Sequence, residues 1–95
     1  MVENWKFQEP ANLAVFASKE IAFHVDWICY VCHHATDGAW EFHPQRGISQ
    51  PSEIAVVALK TIIEMDPSVA ELWDLPLGWC AWRTDKLTPW QRMKM

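Results

Sequence analysis

Glycine is scarce in this sequence, with three residues in 95, and there is no glycine-rich loop of the kind that holds phosphate groups. Eight basic residues stand against twelve acidic ones and form no run, so the positively charged patch of a nucleic-acid-binding protein is missing. No apolar stretch approaches the roughly 18 residues that cross a membrane. These absences argue against a phosphate-loop nucleotide site and predict no nucleic-acid partner and no membrane partner.

The features of a secreted protein are also missing. The first ten residues, MVENWKFQEP, lack the basic segment followed by an apolar segment that marks a secretory signal. The three cysteines are an odd number, and Cys29 and Cys32 would lie about 10 Å apart along one strand, beyond the reach of a disulfide. We therefore expect reduced thiols and a cytoplasmic location.

Residues 25–43 predict a central β-hairpin with strands at 25–34 and 39–43. Asp37-Gly38 lies between two apolar runs and is typical of a two-residue type I′ turn, which needs a positive φ at both positions. The cross-strand pairs that this turn predicts are Thr36–Ala39, Ala35–Trp40, His34–Glu41, His33–Phe42 and Cys32–His43.

This register sorts the hairpin side chains into two sets, because successive residues of a strand point to opposite faces. The apolar set, expected on the core, is Trp27, Cys29, Val31, His33, Ala35, Trp40 and Phe42. The mixed set is Ile28, Tyr30, Cys32, His34, Thr36, Glu41 and His43. We expect the mixed set to be hydrated, since an antiparallel sheet commonly has one buried and one wetter face.

Shorter elements are predicted around the hairpin. Residues 12–17 predict a first strand and residues 19–23 a short helical turn. Residues 54–65 fit either one helix or a strand at 54–58 followed by a helix, and the two valines in this stretch favour the strand.

The second half of the chain adds one more helix and one more strand. Asp66 can cap a helix that has Pro67 at its first position, where a missing amide costs nothing, and this helix should run to about Trp73. Residues 79–83 are short enough for a last strand.

Together these elements predict a single small α+β domain over residues 1–95. The expected architecture is a mainly antiparallel sheet of four to five strands, with the hairpin 25–34/39–43 at its centre, packed against two or three short helices. Residues 1–11 are predicted to form an N-terminal arm and residues 91–95 a tail that frays.

Four short motifs, in order, resemble the Imm33-like family, a former domain of unknown function found mainly in bacteria. They are FASKE, YVCHHATDGAWEF, ALKTIIEMDPSV and LPLGWCAWR with PW close behind, and the match covers residues 12–90. After Phe42, HPQRG replaces an acidic stretch that many members carry. The family is predicted to include immunity proteins of bacterial polymorphic toxin systems, which bind and neutralise a toxin. The resemblance implies a non-enzymatic protein-binding domain with a toxin as partner and no cofactor, and it favours the strand-then-helix alternative for residues 54–65.

An alternative function is a small metal-binding protein or hydrolase that uses the mixed face of the hairpin. Its candidate ligands are Cys32, His34, Glu41 and His43, which the predicted register places in one patch of about 5 by 7 Å. Cysteine, histidine and carboxylate are all zinc ligands, and Cys32 beside a histidine could also act as a thiol–base pair. The competing interpretation is a wet sheet face on which His34 and Glu41 form an ordinary polar pair.

Tryptophan is abundant, with seven residues. Trp27 and Trp40 on the core face, and Trp73 at the end of a helix, are expected to be structural. A partner-binding surface is predicted from a second group, because tryptophan and arginine are enriched at binding hot spots. Its members are Trp79, Trp82, Arg83, Trp90 and Arg92, and we expect at least one of Trp82 and Trp90 to be substantially exposed.

Overall fold

The computed structural model describes residues 5–45 and 50–95 of the chain. Within these ranges the elements are β1 (Ala14–Ser18), α1 (Lys19–Ala22), β2 (Tyr30–His33), β3 (Trp40–His43), a 3-10 helix at Pro51–Glu53, β4 (Ile54–Ala58), α2 (Leu59–Met65), a second 3-10 helix at Pro67–Leu72, β5 (Trp79–Trp82) and β6 (Gln91–Lys94). The predicted α+β class is confirmed, and so is a strand followed by a helix over residues 54–65.

The six strands form one sheet in the order β4-β1-β3-β2-β5-β6. β1 and β3 are parallel, and the other neighbouring pairs are antiparallel. The sheet has more strands than the four to five predicted because residues 91–95 do not fray. They pair with the outer edge of β5, whose backbone groups would otherwise face solvent unpaired.

One face of the sheet packs against the helices and forms the core. The sheet contributes Val15, Ala17, Val31, Trp40, Phe42 and Ala81, and the helices contribute Ile21, Leu59, Ile62, Val69 and Leu72. Trp40 and Phe42 are 1% and 0% exposed, as the alternation predicted. We call this side the helix-packed face.

The N-terminal arm, predicted at residues 1–11, lies against this core over the part that the structure describes. Phe7 is buried, and its ring meets Trp40 edge-on at 5.5 Å. The Trp40 indole N–H donates to Glu9 Oε2 at 2.7 Å. Residues 1–4 of the predicted arm lie outside the described residues.

The predicted hairpin exists, but its first strand is shorter than the predicted 25–34, since β2 begins at Tyr30 and ends at His33. Its register also differs from the predicted one by two residues. The observed pairs are Tyr30–His43, Val31–Phe42, Cys32–Glu41 and His33–Trp40. The connection is a four-residue loop, residues 35–38, closed by bonds between His34 and Ala39 and between His34 and Gly38.

The type I′ turn was the wrong prediction here, because only one of its two residues takes a positive φ. Gly38 has a φ of 73°, whereas Asp37 does not enter the positive region. Instead, the Asp37 carboxylate accepts the Ala39 amide at 3.0 Å. A shift of two residues preserves the side-chain alternation, so both predicted face sets survive within β2 and β3.

The helix predicted after Asp66 is also present, as a 3-10 helix with the expected cap. The Asp66 carboxylate accepts the Ser68 amide at 3.1 Å, and Pro67 occupies the first helical position. The helix ends at Leu72, and Trp73, which was expected to have a structural role at the end of this helix, is 44% exposed. Trp73 lies one residue beyond the last turn, so it is not held on the buried side of the helix.

Candidate functional site

The side of the sheet opposite the helix-packed face, which we call the second face, carries a continuous row of side chains across all six strands. Strand by strand from β4 to β6, the row is Val56, Phe16, Glu41, Cys32, Cys80 and Met93, each paired with the next. A neighbouring row contains His43, Tyr30, Trp82 and Gln91. Side chains from every strand therefore meet on one surface.

Large apolar side chains of this face are exposed near its edges. Val56 and Met93, at the two ends of the row, are 62% and 52% exposed. Phe16 and Trp82, one strand further in, are 37% and 38% exposed. The exposed apolar side chains of this face therefore form two pairs, Val56 with Phe16 towards one edge and Trp82 with Met93 towards the other.

The centre of the second face is buried, which corrects the predicted hydrated surface. Cys32 is 1% exposed, Cys80 is 2% exposed and His43 is fully buried. In a six-stranded sheet β2 and β3 have neighbours on both sides, and larger side chains such as Tyr30 lie beside these shorter ones. The predicted face assignment is right, but its predicted hydration is wrong for these positions.

A polar cluster surrounds Glu41 on this face. The Glu41 Oε1 atom lies 2.6 Å from His34 Nε2 and 3.6 Å from His43 Nε2. One donor atom each from Cys32, His34 and Glu41 lie within 4.8 Å of one another. Three of the four residues named from the sequence as candidate metal ligands are therefore brought into one group, and the fourth, His43, lies beside Glu41. They come together although the strands pair Glu41 with Cys32 and His43 with Tyr30.

Two thiols lie side by side at the centre of the face. Cys32 and Cys80 are directly paired across β2 and β5, and the Tyr30 hydroxyl shares hydrogen bonds with both. All three cysteines of the chain are free and buried. Burial raises the pKa of the Cys32 thiol to about 11, and the nearby Glu41 charge also raises it, while the hydrogen bond with Tyr30 acts in the opposite direction.

Arg83 was predicted to belong to the partner-binding surface, but its side chain is buried and hydrogen-bonded inside the protein. It therefore adds nothing to an exposed surface. It is 2% exposed and forms an ion pair with Asp66. Its Nε and Nη2 atoms donate to the Ile28 carbonyl at 3.0 and 2.8 Å, and Nη1 donates to Ser68 Oγ at 2.8 Å. The guanidinium also lies 4.1 Å from the centre of the Trp90 ring. These contacts tie β5 to the second 3-10 helix.

The other four residues of the predicted partner-binding group do not share one surface. Trp79 and Trp90 are half-buried and pack on the core, and Arg92 binds Asp74 at 2.8 Å at the protein surface. Trp82 alone among the five lies on the second face, because alternation along β5 places it opposite Trp79. Its exposure of 38% confirms that at least one of Trp82 and Trp90 is exposed.

The sequence did not predict that Phe16, Val56 and Met93 would join this surface. Each lies on the face of a short strand that alternation assigns to it, so alternation gave a weak sequence signal for these positions. What was missing was the pairing of distant strands, above all the parallel contact between β1 and β3, which carries no local signature.

Comparisons of the chain with protein-family models, with curated proteins and with solved structures found no match. The resemblance to the Imm33-like family therefore stays a prediction. Among the described residues, no helix has the length and apolar character needed to cross a membrane.

Proposed function

We propose that this chain is a non-enzymatic protein-binding domain that acts by holding a partner protein against the second face of its sheet. The observation that carries the proposal is the exposure of Phe16, Val56, Trp82 and Met93 on four strands of that face. Aromatic residues and methionine are enriched at the centres of protein interfaces.

The size of the surface suits a protein partner. Six strands spaced about 4.8 Å apart give a row about 24 Å across. A specific interface of standard size buries about 800 Å² on each partner, a patch with sides of about 28 Å. The row is slightly narrower than such a patch, so a protein partner would also contact residues beside the strands, whereas a small molecule would occupy only part of the row.

The charge of the chain favours a partner with a basic surface. The net charge is −4, and Glu41 is the one acidic residue in the described strands of the second face, which contribute no lysine or arginine to it. Complementary charge speeds association and excludes wrong partners. A basic bacterial toxin, bound and neutralised in the cytoplasm, fits both this charge and the resemblance to immunity proteins. The three free cysteines accord with a reducing compartment.

The state of the Cys32 thiol supports binding over hydrolysis. A cysteine nucleophile reacts as the thiolate, and catalytic cysteines have lowered pKa values. Burial shifts the pKa of Cys32 the opposite way, to about 11, so this thiol is protonated at neutral pH. A thiol–base mechanism at Cys32 is thus poorly supported by its surroundings.

The proposal is tested by co-expression with a toxin encoded by a neighbouring gene. Wild-type protein should restore growth, and the Val56→Asp variant should fail to do so, because it places a charge in the apolar edge of the second face. Leu87→Asp is the matched control, since Leu87 is 94% exposed and lines a groove beside Trp27 and Pro67, away from this face. Equal protection by Val56→Asp and wild type, with both proteins folded, would exclude this surface.

A further inference from the structure

We propose that Cys32, His34 and Glu41 bind a zinc-like divalent cation on the second face of the sheet, with His43 as the fourth ligand. The site lies within the proposed interaction face but does not depend on a partner, because all four side chains come from one hairpin. β2 supplies Cys32, the residue directly after it is His34, and β3 supplies the other two.

The distances among the donor atoms are close to those of a tetrahedral site. Metal–ligand bonds of about 2.0–2.3 Å place neighbouring ligand atoms about 3.3–3.8 Å apart. His43 Nε2 already lies 3.6 Å from Glu41 Oε1. The Cys32, His34 and Glu41 donors all lie within 4.8 Å of one another, so side-chain movements of about 1 Å suffice for these three, while His43 would approach the ion from its position beside Glu41. His34 Nε2 and Glu41 Oε1, now 2.6 Å apart, would separate to admit the ion.

The arrangement also provides both shelter and an entry path. Cys32 and His43 are buried and form the floor of the site. The side chains of His34 and Glu41 are 35% and 25% exposed and form its open side. An ion can thus reach the donors from solvent without the sheet having to open, and a reachable site is one requirement for binding.

The mixture of donors selects among metals. A thiolate, imidazole and carboxylate set suits zinc and similar transition metals, whereas magnesium and calcium prefer oxygen ligands alone. On binding, the Cys32 S–H bond breaks and its proton passes to solvent, while the His34 proton that faces Glu41 moves from Nε2 to Nδ1 so that Nε2 can ligate. A sulfur–metal bond and a nitrogen–metal bond form, with no change of oxidation state. Tyr30, hydrogen-bonded to the thiols of Cys32 and Cys80, would orient the sulfur from outside the ligand set.

The test uses the untagged full chain after chelator treatment, titrated with Zn²⁺ and separately with Co²⁺ as a spectroscopic probe. The wild type should bind one equivalent of Zn²⁺, and its Co²⁺ form should show thiolate-to-cobalt charge transfer and the visible bands of a tetrahedral site. The His34→Gln and Cys32→Ala variants should each bind Zn²⁺ at least about 10-fold more weakly.

Two variants control for unrelated side chains. Cys29→Ala removes a buried thiol that donates to the Arg83 carbonyl, and His24→Gln removes an exposed histidine; both should bind Zn²⁺ as the wild type does. His34→Gln alters a partly exposed side chain, so the test remains valid even if Cys32→Ala fails to fold. A wild type that takes up no Zn²⁺, or a His34→Gln protein with unchanged affinity, would overturn the proposal. Neither result bears on partner binding, because no partner is present in the assay.

Discussion

Val56 and Met93 occupy opposite ends of a single cross-strand row, one on β4 and the other on β6, the two edge strands of the sheet. Both side chains point to the second face and both are more than half exposed. A partner that contacts both must therefore span the whole width of the sheet. Val56 and Met93 thus mark the two edges of the proposed interaction surface, and substitutions between them can test it residue by residue.

Trp82 should contribute strongly to partner affinity and little to stability. It is 38% exposed on the second face, and replacing a hot-spot tryptophan by alanine typically costs about 2 kcal/mol or more of binding free energy. We expect Trp82→Ala to weaken binding of the cognate toxin at least about 10-fold in calorimetric titration. Trp73→Ala, at a tryptophan of similar exposure outside the strands, should bind normally. Equal losses for the two variants would indicate that the second face has no special role.

Two arginine–aspartate ion pairs among the described residues should differ sharply in their contributions to folding. Arg83 is buried against Asp66, and removing one partner of a buried pair costs about 3–5 kcal/mol. Arg92 pairs with Asp74 where both side chains are exposed to solvent, and such pairs contribute little to stability. Urea denaturation of Asp66→Asn and Asp74→Asn should show this contrast. If both substitutions lowered the free energy of unfolding by similar small amounts, the buried Arg83–Asp66 ion pair would contribute little to the stability of the fold.

The hairpin loop offers a direct test of the observed register. In a type I′ turn, glycine in place of Asp37 would be tolerated or favoured. In the four-residue loop, Asp37→Gly removes the carboxylate that accepts the Ala39 amide and adds freedom to the unfolded chain. We expect a loss of about 1 kcal/mol in the free energy of unfolding. A neutral or stabilising Asp37→Gly substitution in thermal denaturation would favour the two-residue turn instead.

Cys32 should titrate far above its ordinary range in the metal-free protein. Burial raises its pKa from 9.0 to about 11, so the folded state holds the thiol proton more tightly than the unfolded state does. The resulting stabilisation is complete below pH 9 and is lost as the pH rises through 11. Carbon NMR of labelled Cys32 should give a midpoint near 11, whereas the urea-unfolded chain should titrate near 9. A midpoint near 9 in the folded protein would contradict the burial of this thiol.

Side-chain alternation was the part of the fold that local sequence predicted best. Phe42 and Cys32 fall on the predicted faces although their pairing partners were wrong, because a register shift of two residues leaves alternation intact. The same parity explains why the candidate metal ligands converge despite the incorrect pairs. The turn itself was mispredicted because the outcome depended on the backbone of Asp37, which the dipeptide alone does not determine.

Non-local packing accounts for the rest of the differences. Proximity in sequence suggested that Arg83 and Trp82 share a surface. Instead, side-chain alternation and the ion pair with Asp66 bury the arginine. The tail was expected to fray, yet β6 forms on the free edge of β5. Phe16 joined the surface through parallel pairing with β3. Each of these outcomes depends on contacts between distant segments.

The most direct test of the interaction face is methyl NMR of the labelled protein titrated with its cognate toxin. We predict that the Val56 and Met93 methyl signals both shift on binding, while those of Leu87 and Leu77, which are exposed but lie outside the strands, do not. Shifts confined to Leu87 and Leu77, with Val56 and Met93 unchanged in a formed complex, would contradict the account.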